Sequence, residues 1–156
     1  MQSSRHIIIV GAGLAGPALA SALANQGIRS TILERHTEPR NIGGVILVAP
    51  NAMRVLDKMV GIEPRLRAAG CSYDAIDIYT ESSDALARAG GFMTTNGGVR
   101  GLTIARPVLQ EILLDRCKEF DDGTITMRYG SKLERIDEQP DAVYAVLDDG
   151  TRIKGA

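Results

Sequence analysis

The residues best suited to chemistry stand at the start of the chain. Gly11-Ala12-Gly13-Leu14-Ala15-Gly16 follows the apolar run Ile7-Ile8-Ile9-Val10, and Glu34 lies 18 residues beyond Gly16. Glycine at 11 permits a tight turn out of a strand, glycine at 13 lets backbone approach a pyrophosphate, and glycine at 16 lets the next helix pack closely on the sheet. Free amide hydrogens and a partial positive charge at that helix's N-terminus suit phosphates. Glu34 is spaced to accept hydrogen bonds from an adenosine ribose, and its charge would repel a 2′-phosphate, which disfavours NADP at this position. An adenine dinucleotide is therefore the implied ligand.

No other group of side chains suggests catalysis or metal binding, so no catalytic residue is assigned. His6 precedes a strand and His36 follows the acid on a loop; both read as surface histidines. Asp121-Asp122 and Asp148-Asp149 read as turn residues. Cys71 and Cys117 share no metal spacing and read as reduced, half-buried thiols.

The elements that must position the glycines follow from patterning. Residues 6–10 lack alternation, as in a strand buried on both faces. A helix is expected from Leu14 to Gln26, with Pro17 in its first turn and Gly27 as its C-cap, followed by a strand over Ile28–Leu33. Apolar Val45–Val48 precedes a helix opened by Pro50-Asn51, with Met53, Leu56, Met59 and Val60 on one face. A short helix over Pro64–Ala69 and a strand over Asp74–Thr80 come next, and 81–101 reads as a surface hairpin or mobile loop. Leu102–Ala105 leads to a helix from Pro107 that turns Leu109, Ile112, Leu113 and Cys117 inward. Thr124–Tyr129 is strand-like. Strands over Lys132–Asp137, Val143–Leu147 and Thr151–Lys154, separated by turn residues, predict an antiparallel meander.

The chain has 156 residues, enough for one domain with a core, and its net charge of -1 gives no electrostatic case for nucleic acid or a membrane surface. Four Tyr, two Phe and no Trp weaken a base-stacking reading further. No apolar stretch approaches the roughly 20 residues of a membrane span, so a cytoplasmic protein is expected. Oligomeric state leaves no sign.

Topology bears on which dinucleotide is bound. The best candidate for a third parallel strand, Thr124–Tyr129, follows the second only after a long excursion. A minimal NAD fold makes that connection in one crossover. An inserted segment fits a longer ligand, FAD. Four segments make the chain resemble the FAD-dependent aromatic hydroxylases, the para-hydroxybenzoate hydroxylase-like and salicylate hydroxylase-like flavin monooxygenases. They are the opening fingerprint with Glu34-Arg35, Gly43-Gly44-Val45-Ile46-Leu47 leading into Pro50-Asn51-Ala52-Met53-Arg54-Val55-Leu56, Ile104-Ala105-Arg106-Pro107-Val108-Leu109, and Leu147-Asp148-Asp149-Gly150-Thr151. Val45 departs from the glycine the family often has there.

The resemblance implies an α/β, Rossmann-like FAD-binding βαβ fold with a parallel sheet and an antiparallel β-meander. It implies that Glu34 holds the ribose, that Arg35 lies beside the adenine end, that Gly43 and Gly44 pass close to the flavin cofactor, and that Arg106 contacts FAD near its phosphates or ribityl chain. A cation at a helix N-terminus opposes the helix dipole, and an anionic ligand nearby would account for it. The implied activity is hydroxylation of an aromatic or related small molecule, with NADH or NADPH as transient reductant. The family's second flavin motif and its substrate-binding sheet are expected beyond Lys154-Gly155-Ala156. Residues 1–156 therefore read as a partial FAD-binding domain, incomplete relative to the family and inactive alone. A non-catalytic dinucleotide-binding remnant and an NAD-linked dehydrogenase domain are the alternatives.

Overall fold

The computed structural model describes residues 5–40, 42–73, 75–90 and 98–155. The chain divides into two compact units, one made of residues 1–41 with 110–156 and the other of residues 42–109.

In the first unit, β1 (His6–Val10), α1 (Ala15–Ala24) and β2 (Arg29–Leu33) form a β-α-β unit, the helix supplying the crossover that parallel pairing requires. The parallel β1–β2 pair aligns Ile9 with Ile32 and Val10 with Leu33. β8 (Ile125–Arg128) joins the far side of β2, also parallel, giving the order β1-β2-β8. The expected third strand is thus where the sequence places it.

Strand periodicity explains why the run at 6–10 does not alternate. Ile7 and Ile9 pack with Ala20, Ile32, Ile125, Leu114 and Cys117, on the side of α1 and of the C-terminal part of α4 (Arg106–Lys118). Ile8 points to the opposite side, where Leu33 meets Ala145, Leu147 and Ile153 of the meander. That meander is β9 (Leu133–Gln139), β10 (Ala142–Leu147) and β11 (Arg152–Gly155), antiparallel in the order β11-β10-β9. Both faces of the parallel sheet are therefore covered along Ile7–Ile9, whereas Val10, at the end of β1 where it borders an open depression, is 59% exposed, against the expectation for 6–10. Ile32 and Leu33 are almost fully buried, each contributing about 1.5–3 kcal/mol of transfer free energy.

The second unit holds a three-stranded antiparallel sheet in the order β3-β7-β4: β3 (Val45–Val48), β7 (Leu102–Ala105) and β4 (Cys71–Ser72). α2 (Pro50–Val55) continues into a wider π-helical turn at Leu56–Val60, ended by Gly61 at φ +81°, and α3 (Glu63–Ala69) follows. Met53, Leu56 and Val60 are buried, but Met59 is exposed, against the expected face. The π turn is the cause: each residue of it advances less around the axis than in an α-helix, so Val60 comes under Leu56 and Met59 is left to the side. β5 (Ala75–Tyr79) and β6 (Ala85–Gly90) pair as an antiparallel hairpin. The rest of the expected loop is partly outside the described residues, at 91–97, as is Asp74 at the start of the expected strand.

Neither cysteine is half-buried: Cys71 is exposed and Cys117 is buried. Burial pushes the Cys117 thiol up, although a hydrogen bond with Ser21 and nearby Arg116 pull the other way. Its Sγ–H donates to the Pro17 carbonyl at 3.4 Å, tying α4 to α1. His6 is more than a surface residue. Its Nδ1 lies 3.1 Å from the Lys154 carbonyl and its Nε2 2.8 Å from the Thr31 hydroxyl. The carbonyl can only accept, so Nδ1 carries a proton and the ring links β1 to β2 and β11.

Candidate functional site

The glycine turn closes at the C-terminal ends of the parallel strands, where ligands of open α/β sheets sit. Gly11 leaves β1 with φ +100°, a conformation for which only glycine is unstrained. Its N–H donates to the Leu33 carbonyl at 2.7 Å, pinning the turn to β2. A Cβ at Gly16 would fall on the carbonyl oxygen of Gly11, so α1 lies against the turn as closely as backbone allows.

The N-cap position of α1 is Leu14, whose side chain cannot cap, and the first turn holds no acidic residue. The first amides of a helix have no partner within it. Here no side chain from the cap or first turn neutralises them, which suits an anion.

Glu34 faces this turn. Its Oε2 accepts the Ala12 N–H at 2.8 Å and its Oε1 accepts the His36 N–H at 2.9 Å. A carboxylate offers about four lone-pair sites, so acceptor capacity remains for hydroxyl donors. Partial burial alone would raise the Glu34 carboxyl. The His36 and Ala12 amides, helped by the nearby charge of Arg35, outweigh burial and hold it below its ordinary value of 4.5. The acid is therefore ionised at neutral pH.

The turn carrying Glu34 is built against the segment between β8 and β9. Glu34 N–H donates to the Arg128 carbonyl at 2.9 Å, Ser131 N–H to the Glu34 carbonyl at 2.8 Å, and Gly130 N–H to the His36 carbonyl at 2.9 Å. A depression of about 370 Å³ opens beside it, lined among others by Gly11, Glu34, Arg35, Ser131 and Lys132. Arg35 is exposed, and its Nε donates to His36 Nε2 at 3.3 Å.

Ala12 is 2% exposed and held from both sides. Glu34 takes its N–H, and Gln110 Nε2 donates to its carbonyl at 2.8 Å. Gln110 was not singled out in the sequence. The signal was there: with Leu109, Leu113, Leu114 and Cys117 it falls on the inward stripe of α4, where a polar residue needs a partner.

In the second unit, Gly43, Gly44 and Arg106 come together although 62 residues separate the outer two. The Arg106 N–H donates to the Gly44 carbonyl at 2.9 Å, continuing the β3–β7 ladder, and its guanidinium donates to the Ile42 carbonyl at 2.8 Å. Gly43 has φ +119°, and a Cβ there would stand 2.6 Å from Arg106 Cδ. The side chain of Arg106 thus lies against Gly43, while Gly44 is met by the Arg106 backbone alone. The expected site residues form two groups, Gly11–Gly16 with Glu34 and Arg35 in one unit and Gly43, Gly44 and Arg106 in the other. Among the described residues, no cluster of His, Cys, Asp or Glu could hold a metal ion, and no helix is long and apolar enough to cross a membrane.

The family described as FAD binding domain matches residues 5–154. The chain belongs to that family. This FAD-binding domain is 32% identical over 154 residues to 3-hydroxybenzoate 6-hydroxylase 1 of Aquipseudomonas alcaligenes, covering 97% of this chain and 38% of that protein. It is 29% identical to 6-hydroxynicotinate 3-monooxygenase of Pseudomonas fluorescens, with the same coverage. The FAD-dependent aromatic hydroxylases are thus its relatives, and the chain spans little more than a third of their length. Among solved structures, CtdE in complex with FAD and a substrate superposes with a TM-score of 0.81 at 24% identity, covering 97% of this chain and 36% of that one. 2-Methyl-3-hydroxypyridine-5-carboxylic acid oxygenase gives a TM-score of 0.77 at 19% identity, covering 98% of this chain and 38% of that one. At these identities the likeness is one of fold.

Proposed function

We propose that the chain is the FAD-binding portion of an FAD-dependent monooxygenase that uses NADH or NADPH to hydroxylate an aromatic or related small molecule. The observation that carries this reading is the grip of Glu34 on Ala12, beside an uncapped helix start that no side chain could enter at Gly16. The donor set fits FAD. The backbone from Gly11 to Gly16 would hold the diphosphate. Glu34 would take the ribose hydroxyls, and Arg35 would stand beside the adenine end, at the depression next to the acid. Gly43, Gly44 and Arg106 would meet the cofactor elsewhere along its length.

Bound FAD would supply the redox chemistry of the hydroxylation. The residues of this chain bind and orient. An ionised Glu34 accepts hydrogen bonds and repels the extra phosphate of a 2′-phosphorylated ribose. That repulsion keeps NADPH out of the FAD subsite without restricting which nicotinamide acts as reductant. No described side chain is assigned to proton transfer, so this chain alone should bind FAD weakly and hydroxylate nothing. Two of its relatives are named for acting on 3-hydroxybenzoate and 6-hydroxynicotinate, which supports a small, ring-bearing substrate.

Titrating the 156-residue chain with FAD, followed by flavin absorbance and fluorescence, tests the reading. Saturable one-to-one binding is expected. No binding of either FAD or ADP overturns it, and substrate hydroxylation by this chain alone overturns the expectation of inactivity.

A further inference from the structure

We infer that Gln110 is a positioning residue that presets the diphosphate-binding turn by fixing the Ala12–Gly13 peptide. The inference rests on the proposed dinucleotide site and adds a residue to it. A trans peptide is planar, with its C=O and N–H pointing in opposite directions. The Ala12 carbonyl is buried and accepts from Gln110 Nε2 at 2.8 Å. The N–H of the same peptide belongs to Gly13, and it is therefore turned away from Gln110. The preceding peptide is fixed in its turn, because the Ala12 N–H is held by Glu34 Oε2 at 2.8 Å. Two consecutive peptide planes are thus set by side chains from different elements, one at the end of β2 and one on α4, 98 residues from Ala12 along the chain.

A turn that only had to bend would need neither clamp, since Gly11 already supplies the positive φ. Holding both peptides removes the freedom of the Gly13 amide before an anion arrives, which is how a preorganised site gains affinity. Gln110 is itself 8% exposed, so its donor has little access to water as an alternative. Replacing it leaves the Ala12 carbonyl buried without its donor and lets the peptide rotate to seek another.

The test uses this chain with ADP and adenosine as probes and three proteins: wild type, Gln110→Met and Gln110→Glu. Losing one buried hydrogen bond to the turn is expected to weaken ADP binding about tenfold in Gln110→Met. Adenosine, which lacks the diphosphate, should bind as it does to wild type. Gln110→Glu distinguishes a donor from a mere spacer. A protonated carboxyl can donate to the Ala12 carbonyl, whereas a carboxylate can only repel it. ADP affinity in this variant should therefore fall as pH rises, relative to wild type at each pH, and it should approach wild type at acid pH. This comparison stands even if Gln110→Met fails to fold. Amide exchange in the ligand-free proteins gives a reading independent of binding, with the Ala12 amide exchanging faster in Gln110→Met. If wild type binds ADP and both variants bind it equally well at every pH, Gln110 does not set the turn and only the present inference falls. If wild type binds neither ADP nor FAD, the dinucleotide site is wrong and the role of Gln110 is overturned with it.

Discussion

Glu34→Gln tests the site at its most constrained atom. The carboxylate accepts two backbone amides, Ala12 at 2.8 Å and His36 at 2.9 Å. A carboxamide keeps one acceptor oxygen and turns the other into a donor, so one of the two amides must face an NH₂ group. Ala12 is 2% exposed, while His36 is only half-buried. The oxygen will therefore stay with Ala12, and water will serve the His36 amide in part. The loss is then one charge-assisted bond at a wet site, about 1–2 kcal/mol. In a chain of this length that corresponds to a melting temperature lower by about 2–8 °C at neutral pH. The pH dependence carries the sign. Glu34 is held below its ordinary value of 4.5, so its contribution is fully present above about that pH and is lost as pH falls through the lower folded value. Asp122, Asp137 and Asp149 are also lowered, by hydrogen bonds with Thr124, Gln139 and Thr151 respectively. They titrate alike in both proteins and cancel in the comparison. Thermal unfolding of wild type and variant from about pH 7 down to about pH 3 should give two curves that are separate at neutral pH and converge in acid. A gap that stays constant with pH, or a variant more stable at pH 7, would refute the reasoning.

Two further outcomes are expected. Gly13→Val should cost at least about tenfold in FAD affinity, or about 1.4 kcal/mol, while the far-ultraviolet dichroism stays close to wild type; equal affinity would misplace the diphosphate. Gly43→Ala should destabilise the protein in urea by about 1–3 kcal/mol through its positive φ and the contact with Arg106. Gly44→Ala, whose added methyl meets nothing within 4 Å, is the near-neutral control.

The sequence was most legible where one physical rule acted alone. The unbroken apolar run at 7–10 announced a strand covered on both faces, and glycine spacing with Glu34 announced the turn. Both are local signals, and both elements formed where they were read. The third parallel strand was legible because turn residues isolate it. The π turn was not, because Leu56–Val60 reads equally well as α-helix. β4 is two residues long and exists through pairing with β7, so no periodicity could reveal it. The clamps were hidden for a related reason. Gln110 and Ser131 act through backbone groups far away in sequence, and His6 looks like any histidine until Lys154 and Thr31 are brought beside it.

The position of β8 has a consequence for biosynthesis. β2 ends at Leu33 and its outer neighbour begins at Ile125, so about 90 residues must be translated between them. At about 5–20 residues per second, that takes about 5–20 s. Throughout that interval the outer side of β2 presents unsatisfied backbone groups, the kind of edge on which nascent chains stick to one another. The ribosome-bound chain is therefore most vulnerable while it is making residues 34–124, and a holdase that shields an emerging strand would be of greatest use during that window.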